Sequence, residues 1–425
     1  MQPVRQHGFV EHDFLSFLKD FSLNPAPTLF GDDEGATLCD EVVAEGRRYS
    51  RFTNEFWTAR QRGGHSLHEI SYRACFKPEL PRFFIELLTA PGDVVHDPFM
   101  GRGTTVIEAA LLGRRVAGND ANPLSRLLAE PRLAPPAERE VRKRLESLRL
   151  YASPPEADID LSMFYSPLTL RQILNLRAYL QERRESGRED AVDRWIRMVA
   201  TNRLTGHSSG FFSVYTLPPN QAVSPERQRR INEQRKQTPP DRDVAAIILK
   251  KTRSLLRKLT QAERQNLAAA CESALLLTGD AANTPEIPDG SVGLVVTSPP
   301  FLNTVQYVAD NWLRCWFNCL DAERIGESLT VTSSVEQWRG VMLSVLCELH
   351  RVVRRGGWVA FEVGEVRNGS LNLDEIIAPL GEKAGFICHG IMINQQNFTK
   401  TANCWGVSNN SKGTNTNRIV LLQKT

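Results

Sequence analysis

No apolar run in the 425-residue chain approaches the roughly 18 residues that a bilayer-spanning helix needs. The first 22 residues interrupt their apolar positions with His7, His12, Asp13, Lys19 and Asp20, so they lack the pattern of a secretory leader, and the expected location is the cytoplasm. Cysteine is sparse: eight residues are scattered singly with no Cys-x-x-Cys pair, which suits a reduced compartment and argues against a disulfide scaffold. The closest two, Cys315 and Cys319, stand four apart among Trp312, Trp316 and Phe317, a spacing that predicts one buried helix face rather than a metal site. His65 and His68 lack the cluster of further ligands that would complete such a site, and no metal is expected. Internal repeats and low-complexity tracts are absent as well.

What is present describes an ordinary globular chain, with 41% hydrophobic and 24% charged residues and a mean hydropathy of −0.32. The length suits two domains, or one large domain with a substantial insertion. A net charge of +3 hides an uneven distribution, because residues 131–270 hold 26 Lys and Arg against 16 Asp and Glu. That excess points to a polyanionic partner, with a solvated helix face as the plainer explanation. The densest stretch runs from Arg227 to Lys258.

Strand and helix patterns alternate in two blocks. In the first, a helix-period stretch at Lys77–Thr89 leads through Pro91-Gly92 to a strand at Asp93–Asp97, then a glycine loop, a helix from Thr104 and a strand at Arg115–Asp120. The second has strands at Leu275–Asp280, Val292–Thr297, Trp358–Val363, Phe386–Ile393 and Arg418–Gln423, with helices at Gln306–Leu320, Val335–Val353 and Leu373–Ala384. Continuous apolar strands alternating with helices predict an α/β fold, a parallel sheet covered on both faces. Residues 131–270 read as a mostly helical insertion, with patterns at Arg139–Leu150, Leu168–Glu185, Asp190–Leu204 and Asp243–Gln265. The Pro-rich, aromatic stretch 210–225 interrupts them. Phe14 to Phe21 suggest one amphipathic helix, either packed on the core or joining two subunits.

Asp97-Pro98-Phe99-Met100-Gly101-Arg102-Gly103-Thr104-Thr105 falls between a strand and a helix, at the sheet edge where open α/β folds bind ligands. Its glycines admit a tight turn and a close ligand, and it lacks the Lys-Ser/Thr ending of a phosphate cradle. Asp120, about twenty residues on, is placed to accept both hydroxyls of a ribose, or else caps the helix near Pro123. Asp280 at the end of the third strand is placed to accept an adenine amino group, or else closes a turn. Thr297-Ser298-Pro299-Pro300-Phe301 is the sharpest signal: two prolines remove donors and fix φ, leaving rigid acceptors that suit an amino group, with Phe301 as a stacking face.

These stretches resemble the S-adenosylmethionine-dependent DNA amino-methyltransferases that modify cytosine N4 or adenine N6. The resemblance rests on 97–105, on Gly118-x-Asp120-x-Asn122-Pro123 and on Ser298-Pro-Pro-Phe301, with support from Tyr72, Phe76, Lys77 and Pro78, and it covers roughly residues 65–130 and 272–425. It implies a Rossmann-like methyltransferase sheet in two parts, 65–130 and 271–425, around the 131–270 insertion and behind an extension at 1–64. It assigns S-adenosylmethionine to Tyr72, Lys77, Pro78, Asp97, Pro98, Phe99, Gly101, Gly103, Thr104, Asp120, Asn122 and Asp280. Catalysis falls to Ser298, Pro299, Pro300 and Phe301. Ser before Pro-Pro is the commoner choice of cytosine-N4 enzymes, and no Pro-Cys dipeptide offers the thiolate that ring-carbon methylation needs. The target would be a base flipped out of double-stranded DNA. Arg227, Arg229, Arg230, Arg235 and Lys236 are the expected phosphate contacts, and the 210–225 loop is expected to reach bases or grooves, with a helical lid as the alternative. The expected activity is site-specific cytosine-N4 methylation beside a restriction endonuclease, by a monomer or homodimer. The alternatives are adenine-N6 methylation, RNA guanine-N2 methylation, or an inactive DNA-binding scaffold.

Overall fold

The computed structural model describes residues 11–22, 35–57, 64–72, 75–217, 222–300, 307–328, 334–366, 371–395 and 416–425. Nine strands form one sheet. A hairpin opens it, β1 (Leu38–Ala44) and β2 (Arg47–Asn54), followed by β3 (Val94–Asp97), β4 (Arg115–Asp120), β5 (Leu275–Thr278), β6 (Val292–Thr297) and β7 (Val353–Val363). A separate two-residue pair, β8 (Glu365–Val366) and β9 (Leu371–Asn372), precedes β10 (Ile387–Gln395) and β11 (Thr416–Gln423). The order across the sheet is β5-β4-β3-β6-β7-β11-β10-β2-β1. The strands from β5 to β7 run parallel, β11 is antiparallel to both neighbours, β2 is parallel to β10, and β1 turns back on β2. This is the Rossmann-like sheet the resemblance implied, but it is mixed where the apolar pattern predicted a parallel one, because β11 runs against both neighbours and a hairpin extends one edge.

Both faces are covered because the inner strands are apolar on both sides. On β6, Leu294 and Val296 enter one buried cluster and Val292 and Val295 the other; on β7, Trp358 and Ala360 face the first, Val359 and Phe361 the second. The first face carries α1 (Glu11–Lys19), α2 (Glu79–Leu88), α3 (Thr104–Leu111) and α4 (Pro123–Leu133). Phe14 and Leu18 of α1 are fully buried there, so this helix packs on its own core. After α11 (Tyr307–Phe317) and α12 (Ala322–Ser328), α13 (Val335–Val352) and α14 (Asp374–Lys383) cover the second face.

Residues 131–270 are helical as expected: α5 (Glu138–Ser147), α6 (Pro167–Glu185), α7 (Ala191–Thr201), α8 (Pro225–Arg235), α9 (Val244–Leu256) and α10, which runs on to Ser273 from Gln261. The single helix expected over Asp243–Gln265 is two. Thr260 ends the first by capping the second, accepting from Glu263 N–H while the Glu263 carboxylate accepts from Thr260 N–H. These helices share the apolar cluster of the first sheet face, through Trp195, Ile248 and Leu267 among others. In the 210–225 stretch Phe211, Phe212 and Val214 turn inward, and 218–221 lie outside the described residues. Cys315 and Cys319 do not share a buried helix face. α11 stops at Phe317, and Cys319 lies beyond it, exposed and left-handed at φ +53°.

Candidate active site

The strand order reverses between β3 and β6, which opens a crevice at their carboxyl ends. Asp97 ends β3, and Thr297 ends β6 and leads into Ser298-Pro299-Pro300. Thr297 Oγ1 donates to Asp97 Oδ1 at 2.6 Å, Phe99 N–H donates to the same oxygen at 3.1 Å, and Thr105 Oγ1 at the start of α3 donates to Val296 O at 3.0 Å. Asp97 is 1% exposed, and burial pushes its carboxyl up to about 7 against the pull of those donors. Its side chain therefore ties the glycine loop to β6 rather than opening on the crevice.

The loop's shape comes from two glycines. Gly101 has φ +49° and donates its N–H to Asp120 Oδ2 at 2.8 Å. Gly103 has φ +77°, and a Cβ there would stand 2.8 Å from Ala129 Cβ on α4. Buried Arg132 donates to the carbonyls of Leu67 and Arg102, so a fully enclosed cation holds the loop's back. Asn122 caps α4 through Leu124 N–H at 3.0 Å and donates its own N–H to Asp120 Oδ1 at 2.8 Å and its amide to Tyr72 Oη at 3.2 Å. Burial raises the pKa of Asp120 while those two backbone donors pull it down. Thr104 and Pro98 are buried in the same loop, Phe99 is half-buried, and Pro98 O accepts from Asn119 at 3.5 Å.

This corner fits an S-adenosylmethionine. Each Asp120 oxygen accepts one backbone N–H and has a second lone pair for a ribose hydroxyl, and the loop beside it carries no Cβ at Gly101. Asp280 is exposed beyond β5, where Oδ1 accepts from Ala282 N–H at 2.9 Å in a turn. Lys77 is exposed and Pro78 caps α2, both before the loop in sequence.

Across the crevice, Ser298 stands beside Glu362 on β7, a buried carboxylate whose pKa burial raises and the Ser298 hydroxyl pulls down. Asn417 on β11 donates to Glu362 Oε1 at 3.2 Å, and Trp338 Nε1 donates to Pro300 O at 3.1 Å. Phe301 lies outside the described residues. Glu362 escaped the sequence reading. Its signal is a carboxylate inside the apolar run Trp358-Val-Ala-Phe-Glu-Val363, where a buried acid needs a partner.

The five expected DNA-contacting cations lie on or just beyond α8, and all are exposed. Arg229 pairs with Asp160 at 3.0 Å and Arg235 stacks 3.8 Å over Tyr215, whereas Arg227 and Arg230 line a surface hollow with Leu217 and Gln234.

Residues 40–127 match the sequence profile of the family described as DNA methylase, a stretch running from β1 through the glycine loop and Asp120 into α4. Over this stretch the chain is similar to the DNA methylase family. Two type II methyltransferases are similar to parts of it: M.MjaII of Methanocaldococcus jannaschii is 36% identical over 69 residues, 16% of this chain and 13% of that one. M.MvaI of Kocuria varians is 31% identical over 110 residues, 24% of this chain and 23% of that one. The chain thus spans less than a quarter of the length of either relative. A TehB-like SAM-dependent methyltransferase structure from Corynebacterium glutamicum aligns over 81% of this chain and 87% of its own, at 8% identity and a TM-score of 0.30, which adds nothing to the strand order above. The family match ends before Ser298, and no helix among the described residues is long and apolar enough to cross a membrane.

Proposed function

We propose that this protein transfers a methyl group from S-adenosylmethionine to the exocyclic N4 amine of cytosine in DNA, as the modifying partner of a restriction endonuclease or a related defence system. The observation that carries the reading is Ser298, set between a rigid Pro-Pro and the buried Glu362 carboxylate, just beyond the strand end that Thr297 fastens to Asp97 of the glycine loop. When bound, the cofactor would supply an electrophilic sulfonium methyl, the broken carbon–sulfur pair staying on sulfur as a neutral thioether. An exocyclic amine attacks poorly because its lone pair is delocalised into the ring, so the protein must hold the nitrogen as it pyramidalises. Ser298 Oγ accepts an amine N–H and stabilises the positive charge that grows on nitrogen. As the new N–C bond forms, that proton passes to Oγ while the Ser298 hydroxyl proton passes to Glu362, whose raised pKa suits it to receive one. A duplex amine cannot enter the crevice, so the base is flipped out, with the α8 cations on the backbone.

The test is incubation with isotopically labelled S-adenosylmethionine and bacterial DNA from a host lacking the protein, then digestion and mass spectrometry of the nucleosides. Label in N4-methylcytosine is expected. N6-methyladenine would overturn the choice of base, and label in RNA alone would overturn the substrate.

A further inference from the structure

A pocket of about 420 Å³ lies between the glycine loop and the helical segment, lined by cations from three remote stretches of chain, Arg102, Arg203 and Lys251. Arg203 is 8% exposed. Among the described residues its guanidinium donates only to the carbonyl and side-chain oxygens of Asn202, 2.9 Å each, and lies 4.0 Å over the Phe211 ring. Arg102 donates to Thr104 Oγ1, His68 O and Ile70 O. Neither arginine meets a carboxylate among the described residues. Lys251 stands 3.8 Å from Glu69, but Glu69 is already engaged by Arg257 and Ser254. Burial and the charge of Arg203 push the Lys251 ammonium down to about 8, although Glu69, which also lines the pocket, pulls it back up.

Keeping buried Arg203 beside half-buried Arg102 and Lys251 is unfavourable unless an anion joins them. Guanidinium forks match the oxygens of a phosphate, and an ammonium adds a point charge. The pocket also shares Tyr72, whose hydroxyl accepts from Asn122 of the Asp120 corner and whose ring neighbours Gly101. Whatever anion fills it sits one side chain away from the glycine loop. We propose that this pocket binds a backbone phosphodiester of the DNA whose target base occupies the Ser298 corner, a reading that rests on the DNA methyltransferase function proposed above.

The experiment compares the full chain with Lys251→Gln and Arg203→Lys, measuring DNA affinity against salt, S-adenosylmethionine affinity, and the rise in Tm produced by inorganic phosphate. The expected result is about five- to tenfold weaker DNA binding at every sequence in both variants, with a log–log salt slope shallower by about one in Lys251→Gln, which removes a charge, and cofactor affinity unchanged. The phosphate-induced rise in Tm should shrink in both variants, and Arg203→Lys guards against misfolding of the other. Weakened cofactor binding with an unmoved salt slope would overturn the proposal and assign the cations to the cofactor's carboxylate. An unchanged salt slope in Lys251→Gln with an unchanged Tm response in both variants of a chain that does bind DNA would overturn it alone. A wild-type chain that binds no DNA would overturn the methyltransferase reading and this one together.

Discussion

Asp97 illustrates how a motif residue can serve the site from behind. Its carboxyl has a pKa of about 7 against an ordinary 3.8, so between these values the folded chain keeps a proton that the unfolded chain has released. Stability from this group is full below about pH 4 and is lost as the pH rises to about 7, by at most about 4 kcal/mol. Asp97→Asn should remove that slope, so the variant gains on the wild type in urea midpoint at pH 8 relative to pH 5; parallel curves would mean Asp97 stays ionised. Glu362 makes the complementary prediction for catalysis. Because it must be ionised to receive a proton, activity should climb with pH through its raised pKa, and Glu362→Gln should cut kcat about 100-fold and flatten the profile, with cofactor Kd unchanged. Ser298→Ala should lose turnover in the same way.

Among elements, the glycine loop is the least forgiving. Gly103→Ala forces a Cβ onto a left-handed backbone and against Ala129, which should cost about 2 kcal/mol or more and weaken cofactor binding as α3 shifts from α4. A Tm and cofactor affinity equal to wild type would show that α4 yields. This loop was legible in the sequence because its glycines, its Asp and the flanking strands are contiguous. β1 and β2 were not, since Leu38–Ala44 and Arg47–Asn54 put mostly polar or exposed positions on a sheet edge, and no apolar run marks them. The Glu45-Gly46 turn between them, left-handed at both residues, was the available cue. Glu362 and the Arg102, Arg203 and Lys251 group were hidden for another reason: each is defined by partners from distant segments, which only the folded sheet and helices bring together.

On the scale of the whole molecule, the basic excess of residues 131–270 is only partly available to a polyanion. Arg229, Arg253 and Arg257 sit in ion pairs within the chain, a distinction that composition does not carry. Arg227 and Arg230 remain exposed on α8, so converting both to Gln should weaken DNA binding at all sequences and reduce its salt slope by about two. Unchanged binding would mean that DNA docks on another face. The sheet order has a further consequence, for synthesis. β11 is made after the other eight strands, yet it is inserted between β7 and β10, and β10 is what joins the hairpin of β1 and β2 to the rest. The first strands to leave the ribosome must therefore wait, unpaired with the main sheet, for the last one, and a nascent chain stalled before residue 416 would hold its sheet in two pieces.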